Sequence, residues 1–123
     1  MAETQVVSIQ PHAEAVWAII HHDTLDEATN QQMQKEVTAA AAQQPNLPVI
    51  LDMSNVRFVP SIGFGALVTL MRSIKTGGRR FILVGLQPDV RATLAITHLD
   101  KLLEIQPCFE AALSRLSAKP MGM

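Results

Sequence analysis

The sequence has no tyrosine, one tryptophan and four phenylalanines, so aromatics make up 4% of its 123 residues. A core built from it must be aliphatic, drawn from Val, Ile, Leu, Met and Ala. The shortage argues against single-stranded nucleic acid as a partner, because such strands are held on aromatic stacking platforms. A basic stripe is also missing. Lys plus Arg number 10 against 11 for Asp plus Glu, a formal net charge of -1, whereas nucleic-acid binders gather cations on one face. The densest basic cluster, Arg79-Arg80 with Lys75 nearby, reads as a solvated loop between a helix and a strand. Cys108 is the one cysteine, so no intramolecular disulfide can form and a reducing compartment fits. No apolar run approaches the ~20 residues of a membrane helix. The polar, acidic opening Met1-Ala2-Glu3-Thr4-Gln5 does not resemble a signal peptide. These absences point to a cytoplasmic protein with neither a nucleic-acid partner nor a direct insertion into a membrane.

What is present is enough for one domain. Hydrophobic residues reach 48% and charged residues 17%, a balance that buries a core and excludes wholesale disorder. Two separate cores do not fit in this length. The expected organisation is a single domain over 1–123, with a folded core at about 4–117 and a frayed tail over Ser117–Met123.

Along the chain, residues 4–10 are β-prone, Pro11 to Glu14 reads as a turn, and 15–20 (Ala-Val-Trp-Ala-Ile-Ile) makes a second strand. Trp17 reads as packing in the core or at the sheet edge. Thr24-Leu25-Asp26-Glu27 has the form of a capping box, with Thr24 as N-cap. The helix it opens runs to about Gln43, before Pro45 and Pro48. Val49-Ile50-Leu51 is a short apolar run of the kind found in parallel strands covered on both faces. A polar loop over 52–55 and the segment Val56 to Val59 lead into Pro60-Ser61-Ile62-Gly63.

From Ser61, the expected N-cap, a second helix carries Phe64, Leu67, Val68, Met71 and Ile74 on one stripe. Ala66, Thr69, Arg72 and Ser73 fall on its outer side, and Gly77-Gly78 stops it. Gly63 and Gly65 are expected to let its first turn pack close to the sheet. Phe81 to Val84 is another buried strand. Pro88 starts a third helix at its first position. Leu102 to Ile105 reads as a short final strand, and Pro107 opens a last helix with Phe109, Ala112, Leu113 and Leu116 on one face. The order β-β-α-β-α-β-α-β-α implies an α/β fold with a mixed, mainly parallel sheet flanked by helices.

Catalytic chemistry finds little purchase. His21-His22 would point to opposite faces of a strand, and no further ligand stands at metal-binding spacing. Ser61 sits at a strand-to-helix turn, but Pro-Ser-Ile-Gly lacks the Gly-x-Ser-x-Gly of a nucleophile elbow. Gly63-Phe64-Gly65 is not followed by the Lys-Ser/Thr of a phosphate loop. The chain therefore reads as non-enzymatic, with no cofactor and no metal. A helix start does suit a phosphate, because backbone N–H groups and the helix dipole stabilise the added charge. Ser61 is thus a candidate phospho-acceptor.

Taken in order, these segments resemble the STAS domain, the family that includes bacterial anti-sigma-factor antagonists. Leu25-Asp26 is similar to its Leu-Asp helix start. Val49-Ile50-Leu51-Asp52-Met53-Ser54 is similar to its strand ending in Asp-Leu-Ser. Val59 to Gly65 stands where the family has Asp-Ser-Ser-Gly-Leu-Gly. Gly77-Gly78 to Gly85 matches its turn and next strand, and Val90 to Leu102, ending Leu99-Asp100-Lys101-Leu102, its third helix.

The resemblance implies partner switching. The unmodified antagonist binds an anti-sigma factor, often a serine kinase, and phosphorylation at the helix start ends the binding. The residues expected to meet such a partner are Pro60, Ser61, Ile62, Gly63, Thr69 and Arg72. The phosphorylation site departs from the pattern. Pro60 replaces the acidic residue, Ser61 matches the first serine, and Ile62 replaces the second serine, the usual acceptor. His98 stands where Gly is usual, and Asp23-Thr24 where Gly commonly precedes Leu-Asp. The resemblance also implies an alternative, a scaffold or regulatory subunit of a transporter or lipid-transport complex. Weak purine-nucleotide binding is a third implication, for which no motif in the chain speaks.

Overall fold

The structure is a computed structural model that describes residues 5–117. Five strands form one sheet in the order β1-β2-β3-β4-β5. They are β1 (Val7–Gln10), β2 (Val16–Ile20), β3 (Val49–Asp52), β4 (Phe81–Val84) and β5 (Glu104–Gln106). The first two strands pair antiparallel and the remaining pairs are parallel. The helices are α1 (Glu27–Gln43), α2 (Ser61–Thr76), α3 (Pro88–Ile96) and α4 (Phe109–Ser117), with a short 3-10 turn at Leu99–Lys101. The element order is the one the sequence predicts.

Period-two alternation sorts the strand side chains onto two faces. Val16, Ala18, Ile20, Val49, Leu51, Phe81 and Leu83 belong to the core that α1, α2 and α3 cover. Ile50, Ile82 and Val84 face the other way, against Phe109 and Ala112 of α4. Both layers are mainly aliphatic, each fully buried Leu, Ile or Val contributing ~1.5–3 kcal/mol. Trp17 is indeed a packing residue: its ring stacks on Phe109 with centroids 3.7 Å apart and planes 14° from parallel.

Several boundaries differ from the sequence reading. The first strand starts at Val7 rather than residue 4, and Thr4 lies outside the described residues. The Glu36 carboxylate on α1 accepts from the N–H groups of Val6 (3.2 Å) and Val7 (2.7 Å). The N-cap of α1 is Asp26, not Thr24, and its carboxylate accepts from Thr29 N–H at 2.9 Å. Thr24 is engaged elsewhere, in a bridge to Phe58. α3 stops at Ile96 rather than running to Leu102, because His98 takes a left-handed φ of 62° that no helix continues through. The last strand and the last helix each begin two residues later than expected, at Glu104 and Phe109. Most of the tail expected to fray, residues 118–123, lies outside the described residues.

Arg79 corrects another expectation. It is not a solvated loop residue. Its guanidinium donates to the carbonyls of Leu47 (2.7 Å), Ala41 (2.9 Å) and Gln44 (2.8 Å), closing the C-terminal end of α1. Partial burial lowers its pKa from the ordinary value. Arg80 pairs with Glu104 on β5. The one dense basic cluster is thus spent on holding elements together. Among the described residues no helix is long and apolar enough to cross a membrane.

Candidate functional site

In a parallel sheet the loops after the strands gather at one end. Here the segment 53–60, which links β3 to α2, lies beside the start of α3. It is also strapped to the segment before α1. Arg57 and Phe58 N–H groups donate to the Asp23 carbonyl at 2.8 and 3.0 Å, and Leu25 N–H donates to the Phe58 carbonyl at 3.0 Å. The starts of α1 and α2 therefore form one platform. Asn30, buried on α1, donates its amide to the Leu25 carbonyl at 3.0 Å and tightens the same junction.

Ser61 is the first residue of α2 and not its N-cap. Pro60 takes that position with φ -64° and ψ 166°. Its carbonyl accepts from Gly63 N–H at 2.8 Å, so the turn starts on backbone alone, with no side-chain cap. Proline presets the φ that this junction uses. Ser61 is exposed, and its hydroxyl makes no hydrogen bond among the described residues. It is left at the positive end of the helix, where the first N–H groups lack intrahelical acceptors.

The other residues singled out in the sequence divide into two groups. Ile62, Thr69 and Arg72 are exposed along one side of α2, and Pro60 is half-buried at its start. Gly63 is buried: a Cβ on it would lie 2.7 Å from Val59 Cγ1 and 2.8 Å from the Leu25 carbonyl oxygen. It supports the surface from beneath instead of lining it. Gly65, expected to pack the helix close to the sheet, faces open space, with nothing within 4 Å of an added Cβ. Ala66, expected outside, is buried, because α2 packs against α1 as well as the sheet. Phe64 belongs to the core stripe.

One residue of the site escaped sequence reasoning. Phe58, just before the turn, is 60% exposed, and Ile62 within it is 51% exposed. In the sequence Phe58 looks like one more apolar residue of the segment that leads into the turn, and its bridge to Thr24 leaves no sequence signal. A cleft of about 240 Å³ opens beside it, lined by Phe58, Phe64, Val90 and Thr93 with the charged Arg57 and Asp89.

Ser61 has no base hydrogen-bonded to it, as a nucleophile would need. His21 follows β2, and its imidazole is engaged with the Ser8 hydroxyl at 2.6 Å. Among the described residues no three His, Cys, Asp or Glu side chains are arranged to hold a metal. The surface is an apolar and polar relief around an exposed hydroxyl at a helix start.

The family model described as the STAS domain matches residues 13–112, most of the chain. The protein belongs to the STAS domain family. Over 71 residues it is 28% identical to a candidate anti-sigma factor antagonist of Thermotoga maritima. That stretch covers 58% of this chain and 63% of the relative, so the match spans less than two thirds of the curated relative's length. The crystal structure of a candidate anti-sigma factor antagonist from Thermotoga maritima aligns with a TM-score of 0.77 at 21% identity, over 91% of this chain and 95% of that one.

A STAS domain protein from Planctomyces limnophilus aligns with a TM-score of 0.80 at 21% identity, over 91% and 98% of the two chains. The murine anion transporter Slc26a9 contains the same fold, with a TM-score of 0.77 at 21% identity over 89% of this chain and 19% of that one. These likenesses establish the STAS fold: a five-stranded mixed sheet with four helices. The anti-sigma antagonists of the family are typically non-enzymatic regulators. In this STAS domain the turn at the start of α2 reads Pro60-Ser61-Ile62.

Proposed function

We propose that this STAS domain is a cytoplasmic, non-enzymatic anti-sigma-factor antagonist. It binds an anti-sigma factor, a serine kinase in many such systems, through the turn Pro60-Ser61-Ile62 and the α2 side chains Thr69 and Arg72. The observation that carries this reading is the exposure of Phe58 and Ile62, which precede and follow in the chain a free Ser61 hydroxyl at a helix start. Large apolar side chains left outside in a small aliphatic domain suit burial against a protein partner. Ile62 cannot accept phosphate, and Pro60 removes the carboxylate beside the acceptor. The domain therefore binds without the family's usual switch, with Ser61 as the one remaining acceptor in the turn. Matches in sequence to anti-sigma antagonists, beyond the fold shared with Slc26a9, favour signalling over a transporter scaffold.

The test is a pull-down from lysate of the source organism with wild type, Ser61→Asp and Ile62→Asp. Both variants are expected to keep the fold and lose one common partner, identified by mass spectrometry as an anti-sigma factor. Retention of every partner by both variants counts against the site. In a second arm the domain is incubated with that factor and ATP. Stoichiometric phosphate on Ser61 would overturn the unswitched reading while leaving the binding intact.

A further inference from the structure

Gly65 stands inside α2, a sixteen-residue helix, at its fifth position. Glycine is among the poorest helix formers because it loses the most backbone freedom on folding. Helices keep such a residue where a Cβ would collide with something, as at Gly63. At Gly65 an added Cβ meets nothing within 4 Å, and the residue is exposed. Its φ is not among the positive ones, which are confined to His98, Gly78 and Gly85. Neither packing nor backbone conformation within the domain asks for a glycine there.

The surroundings of Gly65 say what would. Ile62 lies one turn before it and Thr69 one turn after it on the same side of the helix. Arg72 follows two turns beyond Gly65, about 10 Å along the axis. The charged residues of α2 are Arg72 and Lys75, both exposed, and the helix carries no carboxylate. Neither side chain is in an ion pair among the described residues. The face thus runs from an exposed apolar knob, over a notch, to unpaired positive charge.

We infer that Gly65 is the point of closest approach for a helix of the protein partner, and that this helix places a carboxylate two turns from that point, against Arg72. The inference rests on the anti-sigma-factor reading of the α2 face. Helices that cross on ordinary side chains keep their axes about 8–10 Å apart. A missing side chain lets the partner's backbone sit lower, so that Ile62 can be covered on both flanks. The charge complementarity fixes which way the partner helix runs.

The anti-sigma factors of the source genome are purified singly and tested by biolayer interferometry against wild type, Ile62→Asp, Gly65→Ala, Gly65→Leu and Arg72→Ala. One factor is expected to bind wild type and not Ile62→Asp. Gly65→Ala should raise the melting temperature by about 2–4 °C and yet bind that factor about tenfold more weakly, with Gly65→Leu weaker still. Wild-type binding should weaken with salt, and Arg72→Ala should flatten that dependence. Full binding by both Gly65 variants, with Ile62→Asp inactive, overturns the inference and leaves the functional reading standing. A lowered melting temperature for Gly65→Ala also overturns it, since the glycine is then structural. An unchanged salt dependence in Arg72→Ala removes the carboxylate. If no factor binds wild type, the functional reading fails and the inference with it.

Discussion

Replacing Gly63 by alanine should destabilise the domain, although alanine is the better helix former. The new Cβ would stand 2.7 Å from Val59 Cγ1 and 2.8 Å from the Leu25 carbonyl oxygen. Neither neighbour can retreat cheaply. Val59 is buried and branched at Cβ, so its rotamer is stiff. The Leu25 oxygen is backbone, held by the Asn30 amide at 3.0 Å, while Leu25 N–H is bound to Phe58 at 3.0 Å. Relief therefore requires the starts of α1 and α2 to move apart.

Forcing one extra carbon into such a contact costs about 1–3 kcal/mol. Against that stands up to about 1 kcal/mol of improved helix propensity, less in the first turn. The net loss is about 1–2 kcal/mol, or roughly 4–8 °C in melting temperature for a chain of this length. Gly65→Ala is the internal control, two residues on in the same helix, and should gain about 0.5–1 kcal/mol. Urea unfolding followed by far-ultraviolet circular dichroism measures both, with an unchanged slope showing that the denatured states are comparable. Equal or greater stability of Gly63→Ala would refute the packing argument, as would two alanine variants that shift in the same direction.

Arg79→Met should cost about 1.5–3 kcal/mol, because it removes a charged donor from three carbonyls at the end of α1. Arg79→Lys should recover less than half of that, since an ammonium lacks the planar fork, and thermal melts of both decide it. The Asp26 carboxyl is held below its ordinary pKa, chiefly by the Thr29 N–H. Its contribution is complete above about pH 4 and is lost as pH falls through the lowered value of the folded chain. Stability below about pH 4 should therefore fall less steeply in Asp26→Asn than in wild type, and equal slopes in urea midpoints would count against this. His98→Gly should raise stability by about 0.5–1 kcal/mol: a left-handed residue with a Cβ costs about 1–2 kcal/mol, offset by the looser unfolded chain of glycine. No change in melting temperature would show that the left-handed position carries no strain.

The parts of this fold legible in the sequence are those fixed by one element's own chemistry. Of the stripe Phe64, Leu67, Val68, Met71 and Ile74, all but the half-buried Val68 are buried as their spacing dictates. Phe81 to Val84 is buried throughout, and Pro88 stands in the first turn of α3. What could not be read depends on two elements meeting. Thr24 is a good N-cap by type, but the bridge to Phe58 takes its place in the chain path and hands the cap to Asp26. Ala66 looks like the outer side of an amphipathic helix until α1 packs on it. Arg79 looks solvated until the end of α1 is brought beneath it. At the site, Ser61 and Ile62 were visible from the sequence and the exposure of Phe58 was not, because only the strap between the two helix starts turns it outward. Gly63 and Gly65 look alike in sequence, yet one is filled against its neighbours and the other opens to solvent.

The stacking of Trp17 on Phe109 gives the domain a built-in optical probe with a particular address. The only indole of the chain lies under α4, on the side of the sheet away from α1, α2 and α3. Its emission follows the departure of that one helix, while circular dichroism is dominated by the three on the other side. Overlaying the two signals along a single urea titration asks whether the two faces melt as one cooperative unit or whether α4 peels away first. A ligand docked on α2 that shifted the indole emission would reveal that the sheet passes strain from one face to the other.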